Sequence, residues 1–137
     1  MNDSQKHLVQ SSWAAMAPNA ETVAQLFYTR LFEIAPELRT LFPKDMTEQR
    51  VKLMQMLAVA VAGLDRLEQI VPAVQALGKR HAAYNVAPAD YDMVGAALLW
   101  TLKQALGDGF TPDIEAAWAA VYGTLATVMK DAASDLK

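Results

Sequence analysis

The chain has 137 residues, 53% of them hydrophobic, which suffices for one compact core and a single domain spanning residues 1–137. A net charge of −3 leaves no basic face for nucleic acid, and Lys79-Arg80-His81 is too short to make one. With no cysteine, disulfides, thiolate nucleophiles and Cys-ligated metals are excluded; with only His7 and His81, so is a histidine cluster. The N-terminal residues 1–6 are polar and lack a signal-peptide run. The longest apolar stretch, Met56 to Leu64, falls well short of the roughly 20 residues that cross a bilayer. The expectation is a cytoplasmic protein without a membrane partner.

Apolar residues recur at three and four, and Ala, Leu, Met, Gln, Glu and Lys dominate, so every segment reads as helix. A first helix runs from about Ser4 to Met16 and ends before Pro18-Asn19. The next run, Ala20 to Ala35, is interrupted by Pro36. Pro43-Lys44-Asp45 forms a loop, and Asp45 with Glu48 reads as a capping box for a third helix, which Gly63-Leu64-Asp65 ends. Pro72 is expected in the first turn of the following helix, where a missing N–H is tolerated. Breaks follow at Asn85-Val86-Ala87-Pro88 and at Gly107-Asp108-Gly109. The last helix has Thr111 as N-cap, Pro112 at its first position, and Asp113 and Glu115 at the positive end of its dipole. The count is six substantial helices and one or two short ones, with no internal repeat.

One constellation stands out. Ile70, Val74, Leu77, His81 and Tyr84 are spaced 4, 3, 4 and 3, so His81 lies on an apolar face. The preceding helix shows the stripe Gln49, Leu53, Met56, Leu57, Ala60, Leu64, an amide opening an apolar face. Tyr28 falls on the stripe Ala24, Tyr28, Leu31, Ala35, and Phe42 stands at a corner in Leu41-Phe42-Pro43. Singly, each has an ordinary explanation: a core histidine bonded to a carbonyl, a solvated amide, a core tyrosine, a corner aromatic. Together they describe two helices facing each other across an apolar slot, one offering imidazole and the other an amide. That is the pattern of a haem pocket. Trp13, Trp100 and Trp118 read as packing residues, and the seven methionines as core filler.

The order Trp13, Phe27-Tyr28, Leu41-Phe42, Gln49, Leu53, Leu77-Gly78-Lys79-Arg80-His81, Val86, Tyr91, Val94-Gly95, Trp118, Tyr122-Gly123 resembles the bacterial single-domain globins. That branch includes the Hell's Gate globin, the Vitreoscilla haemoglobin and the haem domains of flavohaemoglobins. The likeness covers about Leu8 to Met129. It implies the three-over-three all-α globin fold around one haem b, with His81 as the proximal iron ligand. It implies that Phe42 stacks on the porphyrin, that Tyr28 and Gln49 form the distal pair, and that Leu53, Val86 and Val94 pack on the macrocycle. Lys52 or Arg80 would reach a propionate. Dioxygen, CO and NO are the implied ligands, for dioxygen binding, storage or delivery.

In the same branch a Tyr and a Glu support the proximal histidine from behind. Tyr91 matches the Tyr. The Glu position falls at or near Ala133, no Glu follows Glu115, and Asp131 and Asp135 are out of register. This favours ligand binding over enzymatic activation. The alternative is a nitric oxide dioxygenase fed by a separate reductase, since the six glycines make no dinucleotide-binding pattern.

Overall fold

Asn2 starts the first helix, α1 (Asp3–Met16). Its side chain accepts a hydrogen bond from the Gln5 backbone N–H at 2.8 Å, and the Gln5 side chain accepts one from the Asn2 N–H at 3.1 Å. Two amide side chains thus satisfy each other's free backbone donors. The start lies one residue before the expected Ser4.

In the computed structural model, which describes residues 2–83 and 89–134, Pro18 sits in a 3₁₀ turn, Ala17–Asn19, leading into α2 (Ala20–Ile34). Pro36 ends α2: Ala35, the residue before it, is forced out of the helical region to φ −141° and ψ 71°. A 3₁₀ stretch, Pro36–Leu41, follows, then a loop, then α3 (Thr47–Ala62). Gly63 caps α3, and a 3₁₀ turn, Leu64–Arg66, passes directly into α4 (Leu67–Ala83). The remaining helices are α5 (Asp90–Leu106) and α6 (Pro112–Ser134), joined through a 3₁₀ turn at Gly107–Gly109. Gly107 has φ 55°, a conformation that suits glycine.

Two local expectations are corrected. The capping box of Asp45 with Glu48 does not form. Asp45 Oδ1 accepts instead from the Thr47 N–H at 3.0 Å and the Thr47 hydroxyl at 2.7 Å, so the acid closes a two-residue turn before α3. These bonds hold its carboxyl below the usual range. Pro72 is not in the first turn, because α4 begins at Leu67 and places it inside the helix. It removes one intrahelical donor on an exposed face, where water reaches the carbonyl left over.

Helix α6 packs against both α1 and α4, and α5 packs along α2. The core between them is led by Val9, Leu31, Leu102 and Trp118. Trp118 buries its one polar atom by donating from Nε1 to Ser12 Oγ at 2.8 Å, and Ser12 in turn donates to the Leu8 carbonyl at 2.7 Å. Gly78 lets α4 lie directly on α6, since a β-carbon there would stand 2.6 Å from Met129 Cα. Among the described residues no helix is long and apolar enough to cross a membrane.

Candidate functional site

Tyr28 sits mid-way along α2, on the face that also buries Ala24, Leu31 and Ala35. It is only 6% exposed. Gln49, in the first turn of α3, donates from Nε2 to the Tyr28 hydroxyl at 3.1 Å. The Tyr28 oxygen is therefore an acceptor in this pair and keeps its own proton for another partner. Burial pushes the Tyr28 pKa up, and the Gln49 bond only partly offsets this, so the hydroxyl is protonated at neutral pH. Tyr28 and Gln49, which the resemblance puts together, are in hydrogen-bond contact.

Phe42 closes this group of side chains. Its ring meets Tyr28 edge-on at 5.5 Å and Phe32 at 5.6 Å. The loop after it is fixed by Arg39, whose guanidinium donates to the carbonyls of Phe42, Pro43 and Lys44 at 3.3, 2.8 and 3.0 Å and lies over the Phe32 ring. Sequence reading passed over Arg39 and Phe32. No spacing rule marks an arginine that bonds carbonyls three to five residues downstream.

On the other side, the α4 backbone carries His81 three residues after the Gly78 contact with α6. The side chain of His81 lies outside the described residues, as do Tyr84 and Val86 in full. Tyr91, at the start of α5, is buried, and its carbonyl accepts from the Tyr122 hydroxyl at 2.6 Å. Burial raises the pKa of both phenols. Lys130 Nζ lies 5.9 Å from the Tyr91 ring centroid. Val94 follows one turn later, half-buried.

The structure passes a physical test for a large flat apolar group. Helices α3 and α4 are joined end to end, yet among the described residues they do not pack along their lengths. Their apolar stripes stay half-buried: Leu53, Met56 and Leu57 on one, Ile70, Val74 and Leu77 on the other. Phe42 and Val94 are also half-covered. Among the described residues no neighbour covers these faces fully. Lys52 and Arg80 are exposed cations on the same two helices and suit acidic substituents at the rim.

A family model described as Globin matches residues 25–129. The chain belongs to the globin family. This globin is 34% identical over 122 residues to a flavohemoprotein of Bacillus subtilis, covering 87% of this chain and 31% of that protein. The globin spans about a third of the length of the flavohemoproteins it matches. It is 29% identical to a neuroglobin of Tetraodon nigroviridis over 94% of this chain and 90% of that one. A bacterial globin from Campylobacter jejuni has the same fold, with a TM-score of 0.88 at 24% identity and 98% of each chain covered. The expected all-α globin fold and the likeness to flavohaemoglobin haem domains are thus found, and they imply that this globin binds haem.

Proposed function

We propose that this globin, as one domain over residues 1–137, holds haem b through His81 and binds dioxygen reversibly, along with CO and NO. Haem held by His81 would supply a ferrous iron able to take up such small ligands. The observation that carries the reading is the Gln49-to-Tyr28 hydrogen bond of 3.1 Å. Gln49 orients the phenol and polarises it by donating to its oxygen. The Tyr28 proton is then the donor offered to a ligand that gathers negative charge. As the family likeness implies, Phe42 would stack on the porphyrin, Leu53 would cover its distal face, and Val86 and Val94 would pack on the macrocycle. Tyr91 supports the proximal side, held in place by the Tyr122 hydroxyl on its carbonyl.

A hydrogen bond to a charged acceptor contributes about 1.5–3 kcal/mol. Tyr28→Phe is expected to speed dioxygen release by about tenfold or more while CO release changes little, read by stopped-flow. Equal dioxygen off-rates in the two proteins would exclude Tyr28 as distal donor. Absence of a Soret band in the purified protein would sink the haem reading altogether.

A structural neighbour from Rhodothermus marinus, 24% identical, whose description names nitric oxide dioxygenase prompts a second reading: such a dioxygenase drawing electrons from a separate reductase. Sustained NO consumption with a flavin reductase and reduced nicotinamide would favour it. Stoichiometric consumption followed by arrest favours binding.

A further inference from the structure

Tyr28 also lines a cleft of about 220 Å³ between α2, the 3₁₀ stretch and the start of α3. Gln25, Thr29, Phe32, Arg39 and Arg50 line it with Tyr28, and no carboxylate does. Every polar side chain there is a donor or can act as one: two guanidiniums, two hydroxyls and an amide. Among the described residues neither arginine has a carboxylate within ion-pair range. Arg39 is committed to three loop carbonyls but keeps its positive charge. Arg50 is half-buried and makes no side-chain hydrogen bond among the described residues. Asp45, the acid whose charge Arg50 feels, has turned its Oδ1 to Thr47.

We propose that this cleft binds a small inorganic oxyanion, with nitrate the best match. A planar trigonal oxyanion meets the flat fork of a guanidinium edge to edge, a geometry that a spherical chloride cannot use. The cavity is several times the roughly 30 Å³ share of one water, which leaves room for nitrate and a bridging water. The consequence for the distal site follows from proton count. Tyr28 has one O–H, and Gln49 already occupies an acceptor site on its oxygen. Tyr28 lines the cleft, and the proposal extends to its proton: it would serve either a ligand in the distal pocket or an anion in the cleft, not both. Nitrate binding therefore weakens the hold on dioxygen. Nitrate is also the product in the dioxygenase reading, so the cleft would couple product level to ligand release. This coupling rests on Tyr28 as distal donor; the anion site itself does not.

The test uses the CO-bound ferrous holoprotein, titrated with sodium nitrate against sodium chloride at matched ionic strength. Amide resonances of Thr29 and Arg50 are followed by NMR. A saturable nitrate-specific shift with a midpoint of about 1–10 mM is expected, and Arg50→Gln should abolish it. At saturating nitrate, dioxygen release from wild type should quicken about two- to fivefold, with CO release unmoved. Chloride reproducing the shift, or the shift surviving in Arg50→Gln, overturns the site. If nitrate binds but dioxygen release stays constant, the coupling is overturned. If nitrate fails to bind while Tyr28→Phe still speeds release, the cleft proposal falls and the distal reading stands.

Discussion

Leu31 of α2 and Leu57 of α3 both sit on apolar stripes of similar spacing, and they finish differently. Leu31 is 2% exposed, enclosed where α2 packs along α5. Leu57 is half-buried, as are Leu53 and Met56 beside it and Val74 and Leu77 on α4. Periodicity decides which face of a helix turns inward, but burial needs a partner surface. The α1–α2–α5–α6 side supplies one from its own chain. Across the α3–α4 side the described residues supply no such partner along the helices, and the proposed haem would supply one.

The largest expected effect tests the packed side. Leu31→Ala should destabilise the protein by about 3–5 kcal/mol in urea unfolding, with or without haem, because its neighbours cannot collapse into the space. Leu57→Ala should cost about 1 kcal/mol in the haem-free protein and act mainly by speeding haem loss to an acceptor apoprotein. Equal costs at the two sites in haem-free protein would erase the contrast between the sides. Next in size is Gly78→Ala, where the two sides meet. The added methyl must push α4 off the Met129 backbone, for a loss of about 1–3 kcal/mol and a shifted Soret band. An unchanged melting temperature would mean that α4 moves freely.

The smallest effect concerns pH. Burial raises the pKa of Tyr28, Tyr91 and Tyr122, so the unfolded chain gives up these protons first. Their contribution is intact below the ordinary tyrosine value of about 10 and is lost as pH rises beyond it toward the folded values. Tyr122→Phe should soften this alkaline loss and cost about 1 kcal/mol at neutral pH for the missing bond to the Tyr91 carbonyl. An alkaline unfolding curve unchanged by the substitution would count against Tyr122 as a buried titrating group.

Elements with a local cause were legible in the sequence. Pro36 and Gly63 end helices as their backbone chemistry requires, and the stripe through Tyr28 faces inward as its spacing says. Gln49 and Tyr28, 21 residues apart, could be paired only through a family likeness, and the structure brings them into hydrogen-bond contact. Features set by competition or distance were not legible. Asp45 could cap with Glu48 or turn onto Thr47, and the closer hydroxyl and amide win. Pro72 looked like a helix start because the 3₁₀ turn feeding α4 leaves no break before it. The Trp118–Ser12 bond spans 106 residues, beyond any local pattern. The place of Phe42 was foreseen; the arginine behind it was not.

That arginine has a thermodynamic consequence. By tying three successive carbonyls, Arg39 restricts the backbone freedom of the corner that carries Phe42. Ordering a loop on binding normally subtracts from affinity, residue by residue. With the corner ordered by its own chain, the contact proposed for the Phe42 ring would go to holding the ligand instead of freezing the chain.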